Sequence, residues 1–154
     1  MKVGDVVADF ELPDETGMPR RLSELLAKGP VVLFFYPAAM TMGCTRESCH
    51  FRDLQSEFDG VGAQPVGISA DEVDKQRQFT EKHGFGFPLL SDPDRTVARQ
   101  FGVARTFSIL PNKRSTFVID RDRRILGVLH SEVNMNSHAD RALEILRGRA
   151  ASAT

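Results

Sequence analysis

Residues 31–36, Val-Val-Leu-Phe-Phe-Tyr, form an apolar run with no alternation. A strand with one wet face alternates apolar and polar residues, so a run of this kind has to be covered on both sides. Helices on both faces of a sheet supply that cover, which points to an α/β architecture. The run stops at Pro37, and Ala38-Ala39-Met40-Thr41-Met42-Gly43 leads from there into Cys44. Over 45–58 the spacing of Phe51, Leu54 and Phe58 predicts an amphipathic helix, with Glu47 and Cys44 on roughly the same stripe one or two turns earlier. A core strand therefore feeds a cysteine at the opening of a helix. Helix starts carry unpaired N–H groups and the positive end of the dipole, and both favour a thiolate over a thiol.

The other segments fit around that unit. Residues 7–12 read as a strand, turned at Asp14-Glu15-Thr16-Gly17, with 20–22 returning. Ser23 is a candidate N-cap for a short helix over 24–27 that Gly29-Pro30 closes. Residues 65–69 supply a second core strand through Val66 and Ile68, and 72–83 a polar amphipathic helix. Further on, 87–90 is a short strand and 95–101 a short helix. Strands over 116–119 and 125–130 flank the turn Asp120-Arg121-Asp122-Arg123, and a helix over 137–149 turns Ala142, Leu143 and Leu146 inward. The order is a β-rich N-terminal extension, βαβ, more helix, a ββ hairpin and a last helix. That is a thioredoxin-like α/β plan with a mixed sheet and a central insertion. A chain of 154 residues accommodates it as one domain, 1–149, with 150–154 as a C-terminal tail.

Charge narrows the partners. Twenty basic and 21 acidic residues are scattered along the chain for a net charge of −1, so no basic face is built for nucleic acid or anionic lipid. The apolar run is too short to cross a bilayer, and Met1-Lys2-Val3-Gly4-Asp5 does not open a signal peptide. The expectation is a cytoplasmic protein with no membrane partner. In a reducing compartment Cys44 and Cys49, the two cysteines of the chain, read as redox-active or metal-binding rather than as a static disulfide. A zinc site would need Cys44, Cys49 and His50 with His83, His130 or His138 as a remote partner. The Cys-x-x-x-x-Cys-His spacing is not a usual zinc knuckle and no second pair exists, so a zinc site is a long shot.

Taken singly, the neighbours have bland readings too. Thr41 is a helix cap, Pro37 a strand end, Glu47 a first-turn residue suited to the dipole, and Lys113-Arg114 a solvated pair. Cys49 by itself is a cysteine without a role, whereas Phe51, Leu54 and Phe58 are core. A redox-inactive thioredoxin-like binding module stays open on these grounds, although the missing Cys-x-x-Cys argues against a disulfide reductase.

Together the motifs say more. Pro37-x-x-x-Thr41-x-x-Cys44 resembles the active-site signature of the peroxiredoxin family. Cys44-Thr45-x-Glu47-x-Cys49-x-Phe51-Arg52-Asp53 is similar to its PrxQ branch, also called bacterioferritin comigratory protein. Arg114-Ser115-Thr116-Phe117-Val118-Ile119-Asp120 resembles the family's arginine-bearing strand, and Gly4-Asp5-x-x-x-Asp9-Phe10-x-Leu12 its N-terminus, so the likeness spans essentially the whole chain. Met42 stands where the branch commonly has proline, Ala38-Ala39-Met40 is less polar than usual, and 104–113 does not align.

The resemblance implies a cofactor-free thiol-dependent peroxidase. Its substrate would be hydrogen peroxide or an alkyl hydroperoxide, and the apolar loop leans towards the latter. Cys44 would be the nucleophile and pass to a sulfenic acid, which Cys49 would resolve as a disulfide. Arg114 would favour the thiolate and hold a peroxide oxygen, Thr41 would offer its hydroxyl to the same substrate, Pro37 would keep out water, and Glu47 would orient the arginine. Thioredoxin or a similar dithiol would recycle the disulfide, and the state would be a monomer or weak dimer. A one-cysteine peroxidase with an external resolving thiol is the alternative. Residues five apart on a helix are turned by roughly 140° and separated by about 7.5 Å of rise, while a disulfide needs Cα atoms within ~7 Å. A Cys44–Cys49 bond therefore requires the first turn to unwind, with Met42-Gly43 as hinge and the weak helix formers Thr45 and Ser48 beside it.

Overall fold

The computed structural model describes residues 1–104, 113–131, 134 and 136–152, without the side chains of 150–152. A short antiparallel hairpin comes first, β1 (Glu11–Pro13) with β2 (Pro19–Arg21), followed by helix α1 (Leu22–Leu26). The apolar run becomes β3 (Val31–Phe35), and the chain continues through α2 (Met42–Asp53), α3 (Gln55–Gly60) and β4 (Gln64–Ser69). Then come α4 (Val73–His83), β5 (Leu89–Ser91), α5 (Thr96–Gln100), β6 (Ser115–Ile119), β7 (Ile125–His130) and α6 (Asn136–Ser152).

The main sheet has the order β5-β4-β3-β6-β7, parallel across β3, β4 and β5 and antiparallel across β3, β6 and β7. β3 is its middle strand, and residues 31–36 are all fully buried. On one face Val31, Leu33 and Phe35 meet Leu22, Leu25 and Leu26 of α1 together with Val97, Ala98 and Phe101. On the other, Val32, Phe34 and Tyr36 meet Phe51, Phe58, Phe79 and the inward row Ala139, Ala142, Leu143 and Leu146 of α6. The missing alternation is thus explained by helices on both sides, each large side chain contributing about 1.5–3 kcal/mol by burial. Phe34 stacks on Phe51 at 4.3 Å between ring centroids, which fixes α2 against the sheet. Gly67 in β4 is needed for that packing, since a Cβ there would lie 2.7 Å from a methyl of Leu89 and 3.0 Å from the Phe34 ring.

Several local expectations change. The strand expected over 7–12 is confined to 11–13, and the chain before it instead bonds to the start of β7 through Gly4 N–H to Ile125 O and Ile125 N–H to Asp5 O. Ser23 does not cap α1: the helix begins at Leu22, and both the backbone N–H and the hydroxyl of Ser23 donate to the Asp9 carboxylate, at 2.9 and 2.7 Å. The cap is therefore an aspartate fourteen residues upstream. The helix expected over 45–58 starts earlier, at Met42, and breaks at Leu54 into α2 and α3. Helix α6 runs on to Ser152, so most of the expected tail is helical. Of the segment 104–113 that resisted alignment, 105–112 lies outside the described residues, as do 153–154.

Candidate active site

Register brings the site together. Phe35 of β3 pairs with Ser115 of β6, so Arg114 arrives beside Tyr36, where the chain leaves the sheet towards α2. The first turn of α2 points Cys44 inwards, where it is fully buried, and Glu47 follows one turn later, also fully buried. Arg114 joins them: its Nη2 donates to Cys44 Sγ at 3.2 Å and its Nη1 lies 3.3 Å from Glu47 Oε2. Only 5% of its side chain is exposed, which rules out a solvated Lys113-Arg114 pair. Burial works against the Arg114 cation, but Glu47 and Cys44 outweigh it and raise the guanidinium pKa above its ordinary value. One guanidinium fork thus touches both the Cys44 sulfur and the Glu47 carboxylate.

Behind Glu47 sits His138, fully buried in the first turn of α6, its Nε2 3.7 Å from Glu47 Oε2. The same Nε2 is 3.0 Å from the carbonyl oxygen of Ser131, so it carries a proton. Nδ1 meets the hydroxyl of Thr116 in β6 at 2.6 Å. A continuous line thus runs Thr116–His138–Glu47–Arg114–Cys44.

The loop before α2 is tied to the sheet. Ala39 N–H donates to Asp71 Oδ2 at 2.7 Å, and the Ser69 hydroxyl donates to the same oxygen at 2.6 Å. Gln76 Nε2 donates to Ser69 Oγ and to Leu90 O, and the Tyr36 hydroxyl donates to Gln76 Oε1. Burial holds the Tyr36 pKa well above its usual value, so that hydroxyl stays a donor. Pro37 is buried at the end of β3. Met40 adopts φ 68°, a left-handed conformation costing about 1–2 kcal/mol. Thr41 occupies the N-cap position of α2 without capping it: its exposed hydroxyl donates to Ala38 O at 2.8 Å instead.

Cys49 is apart from this cluster. It is half-buried and faces α4, with Sγ 3.8 Å from His83 Nδ1, and both cysteines are free thiols. Burial pushes the Cys49 thiol pKa up, with Arg52 pulling down and Asp53 adding to the rise. The zinc alternative is not assembled. His50 pairs with Asp140, His130 with Ser115 and His138 with Thr116, and among the described residues no group of three His, Cys, Asp or Glu side chains is placed to hold a metal.

Sequence reasoning treated His138 only as a remote zinc partner. Its spacing with Ala142 and Leu146, one turn apart each, marks it as inward-facing and is the signal that would have found it. The Asp71–Ser69–Gln76 ties have no such signal, because they join residues from separate elements.

The sequence profile of the AhpC/TSA family matches residues 3–128. A candidate peroxiredoxin of Mycobacterium tuberculosis is 63% identical over 149 residues, 96% of this chain and 97% of the other. The chain belongs to the AhpC/TSA family of peroxiredoxins. A chloroplastic peroxiredoxin Q of Sedum lineare is 37% identical over 94% of this chain and 77% of its own length. The crystal structure of peroxidoxin BcpB from Mycobacterium tuberculosis superposes with a TM-score of 0.93 at 63% identity, covering 96% of this chain and 97% of the other. The Xanthomonas campestris bacterioferritin comigratory protein, whose structures address alkyl peroxide reduction, does so at 0.84 and 32% identity, over 92% of each chain. The thioredoxin-like fold, the PrxQ branch and the class of thiol peroxidase all follow. Among the described residues of this peroxiredoxin no helix is long and apolar enough to cross a membrane.

Proposed function

We propose that this peroxiredoxin reduces peroxides with Cys44 as the attacking thiolate and Cys49 as the resolving thiol, and that thioredoxin or a similar dithiol protein reduces the disulfide. The observation that carries the reading is the Arg114 fork, one arm 3.2 Å from Cys44 Sγ and the other 3.3 Å from Glu47. Cys44 S⁻ attacks one peroxide oxygen, the O–O bond breaks, and the second oxygen leaves as alcohol or water after taking a proton. Arg114 stabilises the thiolate beforehand and the oxygen charge as it shifts, a preorganised donor aimed at the reacting atoms. Glu47 keeps the fork in place and His138 supports Glu47. Thr41, exposed at the loop, offers a second hydroxyl to the peroxide, and buried Pro37 limits water around the sulfur.

Organic hydroperoxides are the favoured substrates. Met42 is 82% exposed beside the site and Met40 half-buried, an apolar rim suited to an alkyl group, and the Xanthomonas campestris relative is described for alkyl peroxide reduction. We place the protein in the cytoplasm, as a single domain over 1–149 and a monomer or weak dimer. Replacing each cysteine tests the roles. Cys44→Ser is expected to abolish turnover, and Cys49→Ser to give one burst of peroxide consumption without recycling by thioredoxin. Sustained turnover by Cys49→Ser at the wild-type rate would transfer the resolving role to an external thiol.

A further inference from the structure

We infer that His83 is the general base of the resolving step: its Nδ1 takes the proton of the Cys49 thiol as that sulfur attacks oxidised Cys44. The inference rests on the resolving role proposed for Cys49. His83 is the last residue of α4, closed by Gly84 in the left-handed conformation. Its ring is held edge-on to Phe79 at 5.5 Å and stacked on Phe85 at 5.7 Å, which leaves Nδ1 at 3.8 Å from Cys49 Sγ. Arg52, three residues beyond Cys49 on α2, donates from Nη1 to the His83 carbonyl oxygen at 2.6 Å. The two helices are thus joined where sulfur and imidazole meet. The peroxide step uses none of these groups.

The surrounding charges suit a proton transfer. Cys49 faces Arg52 and Asp53 from its own helix and His83 from α4, while His83 faces Lys82 beside it and Arg52 across the contact. Burial raises the Cys49 pKa, so at neutral pH it is a thiol that needs a base before it can attack. Burial, Lys82 and Arg52 lower the His83 pKa, so its imidazole is neutral and able to accept. Once charged, the imidazolium lies at a helix C-terminus, where the carbonyl ends favour it.

The step balances without a further reagent. The Cys49 S–H proton passes to Nδ1, the sulfur electron pair forms the S–S bond, and the S–O bond of the Cys44 sulfenic acid breaks. The hydroxide leaves as water with one proton, returned from His83 directly or through solvent. Cys49 is oxidised and the sulfenic sulfur reduced. The Arg52 bond and the Phe34–Phe51 stack hold the Cys49 end of α2, so it is Cys44 that travels.

His83→Gln and His83→Phe test this, the second keeping a ring against Phe79 and Phe85. Reduced protein is given one equivalent of peroxide without dithiol, quenched at intervals, and sulfenate and disulfide are read separately by mass spectrometry. The expected result is a disulfide step slowed about a hundredfold at pH 7 relative to sulfenate formation in the same traces, the gap closing at alkaline pH as Cys49 ionises unaided. A wild-type rate, or a gap that stays constant with pH, overturns the base role. Should both variants lose sulfenate formation, the wild-type pH profile decides. A disulfide rate that falls as His83 protonates supports the role, and one that follows Cys49 ionisation alone overturns it. Wild-type turnover by Cys49→Ser would instead sink the resolving role itself, a result the His83 variants cannot mimic.

Discussion

Arg114 serves two partners, and that duty separates arginine from lysine. A guanidinium presents rigidly spaced donors, so one side chain reaches Cys44 Sγ and Glu47 Oε2 together. An ammonium is a point charge and cannot span both. Under the proposed roles, Arg114→Lys is expected to slow sulfenate formation about a hundredfold, the scale of losing one donor to developing charge. Competition for peroxide against a reference peroxidase measures this, and a wild-type rate would show that the fork is not used. Removing Glu47 has a different signature. Glu47→Ala leaves the Arg114 cation buried without its carboxylate, which typically costs about 3–5 kcal/mol of stability. In the sequence, Cys44 and Thr41 stand out as site candidates through the Pro37-x-x-x-Thr41-x-x-Cys44 pattern that resembles the family signature. Spacing does not bring Arg114 to Cys44, since that contact depends on the pairing of Phe35 with Ser115 across the sheet, and in the sequence only the family resemblance points to it.

At the scale of elements, α2 carries both cysteines on different sides and its two halves are held unequally. The later half is fixed by the Phe51 stack and by Arg52. The earlier half has no side-chain cap at Thr41, and where it meets the later half the Ser48 hydroxyl is buried without a hydrogen-bond partner among the described residues. A buried hydroxyl left unpaired costs about 1–3 kcal/mol, so the first turns are the cheaper ones to open. Amides over 45–49 are therefore expected to exchange faster with solvent in the disulfide form than in the reduced form. Equal protection in the two forms would refute the unwinding. Sequence periodicity did well wherever local burial decides. It predicted β3 from its missing alternation and the inward row of α6 from helical spacing. It failed where a distant side chain decides, as with Asp9 capping α1 in place of Ser23, and at Leu54, where one apolar stripe continues through a break between two helices.

The whole molecule depends on carboxylates that hold its periphery, and they respond to acid in opposite directions. Asp14 folds the β1–β2 turn: its Oδ1 accepts from Thr16 N, Thr16 Oγ1 and Met18 N, and its Oδ2 pairs with Arg20 at 2.8 Å. Burial opposes its ionised form, but the Thr16 and Arg20 bonds outweigh burial and lower the pKa below the ordinary 3.8. An acid whose folded pKa is depressed contributes its full stabilisation above the unfolded value and loses it as pH falls through the folded one. Asp92, which accepts the N–H groups of Val97 and Ala98 at the start of α5, shifts the other way because burial dominates, and its pKa is raised. Its folded form takes up a proton before the unfolded form does, so stability gains as pH drops through that raised value towards the ordinary one. Urea titrations of wild type, Asp14→Asn and Asp92→Asn from neutral pH to about pH 3 separate the two. The stability gap between wild type and Asp14→Asn is expected to be constant above the ordinary carboxylate range and to narrow below it. The gap for Asp92→Asn should begin to move at higher pH and in favour of wild type. A gap for Asp14→Asn that is unchanged down to pH 3 would show that its hydrogen bonds do not need the charge.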